Sequence, residues 1–524
     1  MALQPAPENR VFQRTTYPPS SSGQYVVYWM QMHRRLESNF GLQHACHIAE
    51  KLDKPLLIYE GLRPDYPHAS PRFHGFILDG MADHFEFFRK KEWLLQLTED
   101  GKRLVGKGAG PAHYLPFVPE SAEQSRGFFK TLCESASCVI TDEFPVFIVP
   151  EQNRALEKKL RESKTAFLTV DSNGVIPLKE SQTDPYSAYL FRKILQKKFA
   201  SCYQDFPLQK PLSMRKQKHS LTLELPLTKL QKEGLKSTSR LLENWRGQAS
   251  ASLLSPLRLD ESVGIVQSGS RREAMKRMQG FVSSMSSYTE QRNDPDAAAT
   301  SGLSAYLHFG RISIHEVVQS VFDRYDLNDS WKGLIYNNGS RGFFPGPPEV
   351  DAFLDEALTW RETGYHFCFH RPDFDQFESL PDWARRTLLE HASDPREHIY
   401  SAEALENAKT HDEIWNAAQR QLRQTGIIHN YLRMLWGKKI LEWTKSPREA
   451  LEITLHLNNK YSIDGRNPNS YSGVFWVFGR FDRPWQERPV FGKIRYMTSE
   501  QTRKKVKLKK YLERFGDDNQ GRLL

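Results

Sequence analysis

The chain has 524 residues, 39% of them hydrophobic, with a net charge of +10 and five scattered cysteines. That length and hydrophobic content exclude a wholly disordered chain and allow two or three domains, at about 100–200 residues each. No apolar run approaches the ~20 residues that span a bilayer, the cysteines form no CxxC pair for zinc, an iron–sulfur cluster or a disulfide framework, and the basic balance suits a polyanionic partner.

Residues 1–23 are rich in Pro and Ser with no apolar h-region, and predict a disordered leader without a secretory signal. Tyr25–Met30 is a short apolar run of β-type residues, Ser38–Leu52 has apolar residues at helical spacing, and Pro55–Gly61 is again strand-like. Ser137–Val149 and Thr165–Leu178 continue the alternation. An α/β domain with a parallel, Rossmann-like sheet is therefore expected over 24–180. Residues 181–270 read as an interdomain linker. From 203 on, this stretch is rich in Lys, Ser, Leu and Pro without a sustained period.

Residues 271–516 change to helical spacing, with apolar faces in six successive stretches between Arg272 and Thr444. Asn337–Glu349 is a Gly/Pro loop between two of them, and Glu500–Gly516 reads as one basic helix. Residues 517–524 form a tail. The scattered thiols fit a reducing, cytoplasmic setting.

Chemistry concentrates in His411–Pro447. Gly426 ends one helix. On the next, Trp436 and Trp443 lie seven apart, about 20° apart around the axis and roughly 10 Å along it. Arg433 sits one turn before Trp436, and Trp415 lies on the preceding helix. Spacing alone gives core packing as the commoner explanation for such indoles. Leu457–Gly473 follows as a Gly/Asn/Pro-rich loop after a helix, able to present amides to a ligand. Thr300-Ser301-Gly302 is a polar, small-residue loop entering a helix, which suits phosphate or plain capping. Glu356 and Trp360 lie four apart on one helical face with Arg361 beside them. No P-loop, GxGxxG, HExxH or GxSxG motif points to another chemistry.

The strings SGLSAYLHFGRIS, SDPREHIYSAEALENAKTHDEIWNAAQ, RMLWGKKILEWTKSPREALEI, LNNKYSIDGRNPN and ERPVFGKIRYM together resemble the photolyase/cryptochrome family, and class II cyclobutane pyrimidine dimer photolyases in particular. The resemblance runs from about Tyr25 to Phe515 and is strongest in the C-terminal half. It implies an N-terminal α/β antenna domain and a C-terminal all-helical domain holding FAD. It also implies light-driven repair of UV-damaged DNA: excited reduced FAD gives an electron to a flipped-out dimer, which then splits. Carried over, Tyr288, Thr300, Ser301, Gly302, Leu303 and Ser304 match phosphate-side flavin contacts, with Arg361 also cofactor-binding. Arg433 and Asp464 match an ion pair beside the flavin ring, and Asn458 matches the amide facing its N5. Trp436, Trp415 and Trp443 match the electron chain. Glu356, Trp360 and Trp476 match the dimer pocket, and Arg483 and Trp485 the pair that fills the hole left by the lesion.

The sequence departs from the class II pattern at Gln421, Asn430 and Asn467, and Asn337–Glu349 resembles an insertion. A second antenna chromophore of deazaflavin, folate or flavin type is left open. No metal, no membrane and no obligate protein partner are expected, and the chain is expected to be a monomer. The alternatives are a cryptochrome-like flavin photoreceptor without repair, a photolyase for the (6-4) photoproduct, and a plain basic DNA-binding module. A (6-4) enzyme would call for an active-site histidine pair, and the only nearby candidates are His366 and His370.

Overall fold

The computed structural model describes residues 3–297 and 299–516, so the expected tail lies outside the described residues. The chain forms two compact units. One contains the described residues up to Glu180 together with Ser201–Lys276 and Leu303–Val318. The other contains Ser181–Ala200, Arg277–Gly302 and the described residues from Gln319 onward.

The first unit is built on a six-stranded sheet of order β1-β8-β7-β2-β3-β6. Its strands are β1 (Val11–Gln13), β2 (Tyr25–Trp29), β3 (Leu56–Gly61), β6 (His113–Phe117), β7 (Ala136–Asp142) and β8 (Ala166–Val170). All neighbours are parallel except β1, which runs antiparallel to β8. Strands β2, β3 and β7 are the apolar runs expected from sequence, and nearly all of their residues are buried, as a sheet covered on both faces requires. Helices α1 (Phe40–Leu52), α2 (Pro71–Lys90) and α3 (Val149–Glu162) connect them. Strand order reverses between β2 and β7, where open α/β sheets usually bind ligands. Here that point is occupied by the protein itself. The Asp142 carboxylate accepts hydrogen bonds from the backbone N–H groups of Gln31, Met32 and His33 at 3.1, 2.7 and 2.9 Å, and from the Tyr28 hydroxyl at 2.8 Å.

Two expectations change. The supposed leader contains β1, because Arg10 is fully buried and its guanidinium donates to the carbonyls of Gly174 (3.0 Å) and Val175 (2.6 Å). The supposed linker is folded too. Its segment His219–Glu224 is β9, joined to β4 (Gln96–Leu97) and β5 (Arg103–Gly110) in a three-stranded antiparallel sheet. A capping box between Thr228 and Gln231 then starts α4 (Lys229–Gly247), which packs on α2 with Trp245 Nε1 donating to Asp79 at 2.8 Å.

The second unit is helical. A continuous helical stretch comprises α5 (Pro348–Leu354), a π turn (Asp355–Trp360) and α6 (Arg361–His370). It is followed by α7 (Glu413–Thr425), α8 (Asn430–Trp443), α9 (Pro447–Tyr461) and α10 (Pro468–Val477). Gly426 ends α7 at φ +69°, the left-handed conformation glycine adopts freely. Gly437 lets α8 approach α10, since a Cβ there would lie 2.5 Å from Val477 Cγ2. The Asn/Gly-rich stretch expected as a loop is mostly helix: Asn458 is on α9, and only residues 462–467 form the turn before α10. The C-terminal basic segment is two helices, α11 (Ser499–Lys505) and α12 (Lys509–Phe515). Val506 is extended between them, and the Asp296 carboxylate accepts from the N–H groups of Lys510 and Tyr511 at the start of α12.

Candidate active site

The π turn carries Glu356 and Trp360, both half-buried. Such turns widen the helix locally and recur at functional sites. Glu356 accepts a 2.6 Å hydrogen bond from Arg292 Nη1. Burial raises the Glu356 carboxyl above its usual range despite the pull of Arg292. Tyr288 packs edge-on against Phe281 and Phe353, and burial, then the nearby Glu356, push its phenol up to about 12.

Arg361, buried, begins α6. Its Nη2 donates to the Tyr365 hydroxyl (3.1 Å) and its guanidinium lies 4.5 Å from that ring. The same hydroxyl accepts from Asn467 Nδ2 at 3.0 Å, while Asn467 Oδ1 caps α10 by accepting from Asn469 N. The Asn467 amide thus serves both partners, donating to one and accepting from the other. Gln421 accepts hydrogen bonds from the Tyr511 hydroxyl (2.8 Å) and His429 N (3.2 Å). Asn430 is an exposed residue at the start of α8.

Arg433 on α8 faces Asp464 in the 462–467 turn, with Nη2 and Oδ1 3.6 Å apart. Asn458 is buried and donates from Nδ2 to Ser470 Oγ at 2.6 Å. Thr300 is exposed, Ser301 and Gly302 are half-buried, and Gly302 has φ +62°. Leu303 is buried and precedes the short helix Ser304–His308; it makes no side-chain cap, and Ser304 is exposed.

The three indoles are fully enclosed, Trp415 at 0% exposure and Trp436 and Trp443 at 2% each. Asp412 caps α7 by accepting from Trp415 N at 3.0 Å, which fixes that residue at the first turn. Trp415 Nε1 donates to the Trp436 carbonyl at 2.9 Å, and its ring meets Trp443 edge-on at 5.6 Å between centroids. Trp436 Nε1 donates to Gln419 Oε1 at 2.9 Å. The chain is thus two helices wired together by indole N–H groups.

At the C-terminal end of α10 and in the segment after it lies an aromatic and cationic stack. Trp476, half-buried, has Lys438 Nζ 4.9 Å and Arg495 5.6 Å from its ring. Arg495 also lies 4.1 Å from the exposed Trp485, where Arg483 lies at 5.3 Å. Asp482 fixes Arg495 through hydrogen bonds of 2.6 and 3.0 Å. Burial lowers the Lys438 ammonium to about 7. His366 and His370 both bond the Ser181 hydroxyl, so this pair is engaged in structural contacts.

The expected residues therefore gather into local groups: Tyr288 with Glu356, Arg433 with Asp464, the indole trio, and Trp476 with Arg483 and Trp485. Sequence reading missed the partners that hold them. Arg292, Gln419, Ser470 and Arg495 carry no periodic signal, because their pairings span 12 to 64 positions; Tyr365 lies four after Arg361 on α6, but its bond to Asn467 spans 102. Gln419 and Arg495 lay inside recognised strings, at the end of WNAAQ and in KIRYM.

A parallel-sheet unit in a chain whose other unit is helical, with an enclosed indole chain, has the architecture of the photolyase/cryptochrome class. The fold is similar to that of a bacterial class III photolyase from Agrobacterium tumefaciens (TM-score 0.60, 18% identity, 90% of this chain and 83% of that chain covered). No family model matches the chain. In sequence it is 33% identical over 501 residues to the deoxyribodipyrimidine photo-lyase of Methanothermobacter thermautotrophicus, covering 95% of this chain and 96% of that one. It is 33% identical to the rice enzyme of that name (93% and 86% covered) and 31% identical to that of Potorous tridactylus (90% and 78%). The chain belongs to the deoxyribodipyrimidine photo-lyase family, and is an enzyme of that family. Among the described residues, no helix is long and apolar enough to cross a membrane, and no cluster of His, Cys, Asp or Glu could hold a metal ion.

The family implies a flavin, and the residues present fit one. Arg361 Nη1 and Arg433 Nε are buried donors without a hydrogen-bond partner. A buried charged donor left unmatched costs upwards of ~1–3 kcal/mol, which a hydrogen-bond acceptor placed at each would relieve.

Proposed function

We propose that this chain is a class II-type photolyase that splits cyclobutane pyrimidine dimers in damaged DNA with blue light, using FAD. The supporting observation is the enclosed Trp436–Trp415–Trp443 chain together with a half-buried carboxyl and indole on one π turn. FAD would be held by Tyr288, Thr300, Ser301, Gly302, Leu303, Ser304, Arg361, Arg433, Asn458 and Asp464. When bound and reduced, it supplies an electron to the dimer under illumination.

The protein's own groups do the rest. Arg433, only partly offset by Asp464 at 3.6 Å, provides positive potential for an anionic ring. Asn458 presents an amide already oriented by Ser470. Trp360 and Trp476 form apolar walls for an extruded pyrimidine dimer, and Glu356 hydrogen-bonds a base edge. Because burial favours its protonated form, Glu356 can donate as well as accept. Electrons pass inward from Trp443 through Trp415 to Trp436, which restores the reduced state. Arg483 and Trp485, stacked and exposed, fill the gap left in the duplex, and surface Arg and Lys hold phosphates. The chain acts as a soluble cytoplasmic monomer, nucleoid-associated in a bacterium, and any antenna chromophore binds outside the β2/β7 switch point that Asp142 occupies.

Two oligonucleotides test this, one with a cyclobutane dimer and one with a (6-4) photoproduct. Blue light with reduced enzyme should remove only the cyclobutane dimer. Removal of the (6-4) product, or of neither, rejects the reading.

A further inference from the structure

The segment that carries Arg483 and Trp485 returns as a short hairpin. The Trp485 N–H donates to the Lys493 carbonyl at 2.9 Å, and Arg488 and Gly492 exchange both backbone hydrogen bonds, at 2.9 and 2.8 Å. The hairpin is tied to the helix Asp382–Glu390 and the turn after it. The Lys493 N–H donates to Thr387 Oγ1 at 3.0 Å, and the Val490 N–H to Asp394 Oδ2 at 2.8 Å. The approach is close enough to require glycine at 492, where φ is +52° and a Cβ would lie 2.1 Å from Thr387 Oγ1.

His391, directly after that helix, joins the two sides of this contact. Its Nδ1 lies 2.6 Å from Asp394 Oδ2, the same oxygen that receives the Val490 N–H. Its Nε2 lies 3.0 Å from Glu487 Oε1, on the hairpin two residues after Trp485. A neutral imidazole has one N–H, so in either tautomer one nitrogen would turn a lone pair toward a carboxylate oxygen. The imidazolium alone donates to both.

We propose that His391 is a positioning residue for lesion recognition: as an imidazolium it holds the hairpin that presents Arg483 and Trp485, and its deprotonation opens one of the two ties and lowers the preference for dimer-containing DNA. This rests on the reading of Arg483 and Trp485 as the pair that enters the duplex. The surrounding charges favour the clamped form. Hydrogen bonds to Asp394 and then to Glu487 outweigh slight burial and raise the imidazole above its ordinary range. Asp394 is held below the usual carboxylate range by the Val490 N–H first and His391 second, with Arg396 adding to the effect. Lys493 Nζ stands 3.9 Å from the other Glu487 oxygen. Lys493 belongs to the hairpin itself, so that pair cannot tie the hairpin to the helix. With the folded value raised, the clamp is complete below the ordinary imidazole pKa of about 6.5 and is lost as pH rises through the raised value. Glu487 is 53% exposed, so the effect is that of a half-exposed ion pair, about 2–5-fold in affinity.

The test uses the full-length, flavin-loaded chain. It measures the ratio of affinities for a dimer-containing and an undamaged duplex from about pH 5.5 to 9 at fixed ionic strength. Lys438, which titrates near 7 beside Trp476, is intact in every variant, so the difference from wild type isolates His391. The wild-type ratio should fall with rising pH. His391→Ala should lower it about 2–5-fold at acid pH and not at alkaline pH. Glu487→Gln should keep the acid ratio and hold it at alkaline pH, because the amide accepts from the imidazolium and, turned over, donates to the neutral ring. A merely structural histidine would not produce that flattening. Variant and wild-type profiles that stay parallel across the whole range overturn the proposal. A wild type that prefers the damaged duplex at no pH instead sinks the lesion-binding reading itself, which keeps the two failures apart.

Discussion

Replacing Trp415 by Phe tests the redox role proposed for this indole apart from its packing role. Trp415 is fully enclosed, and its Nε1 donates to the Trp436 carbonyl at 2.9 Å while its ring touches Trp443. Phe preserves an aromatic filler but removes the N–H and the outer ring atoms. The lost hydrogen bond and the small cavity together cost about 1–3 kcal/mol, against a typical total of roughly 5–15 kcal/mol. The variant should therefore fold, with a lower urea midpoint and an unchanged denaturant slope. Photoreduction of the bound flavin should stop, because Phe cannot be oxidised by the neighbouring indole cation. Continuous illumination with excess thiol, followed by flavin absorbance, reads this directly, and chemical pre-reduction should restore repair. Undiminished photoreduction in a folded variant would refute the assignment.

Other outcomes follow from the same contacts. Gly437→Ala places a methyl 2.5 Å from Val477 Cγ2 and should destabilise by about 1–3 kcal/mol; adding Val477→Ala should recover part of that loss, and strictly additive urea-derived free energies would contradict the close α8–α10 approach. Lys438 titrates near 7 when folded and near 10.4 when unfolded. Between these values the unfolded chain binds more protons, so this residue makes stability rise with pH. The stability of wild type relative to Lys438→Met should climb by on the order of 1 kcal/mol per pH unit from pH 7 to 9, and a pH-independent difference in denaturation would rule that out. Trp485→Ala should weaken binding of dimer-containing duplex by about 1–3 kcal/mol, while Arg483→Ala should lower the salt slope of binding by about 1; filter-binding titrations at several salt concentrations would expose an absence of either effect.

Local patterning made part of this molecule legible. The buried strands β2, β3 and β7 are continuous apolar runs, and Gly426 marked a helix end because no other residue suits φ +69° so well. Strand β1 escaped because three residues at a sheet edge carry no alternation, and the anchor that orders them, Arg10, resembles a surface charge in sequence. Strand β9 escaped because its Ser-Leu-Thr-Leu alternation sits in a lysine-rich stretch. Composition misled around Asn458, where Asn and Gly suggested a loop although tertiary packing continues the helix to Tyr461. The candidate site residues were singled out through resemblance and not through periodicity. Periodicity alone gave core packing for the indoles, and their burial agrees with that as well as with electron transfer. The Arg292–Glu356 pairing, 64 positions apart, has no trace in local sequence.

The most direct check is the flavin content of the purified full-length chain, read from its visible spectrum and protein concentration. One flavin per chain, lost when Arg361 and Arg433 are both replaced by Ala in a still-folded protein, is the predicted result. A colourless wild-type protein that takes up no added flavin would contradict the account at its base.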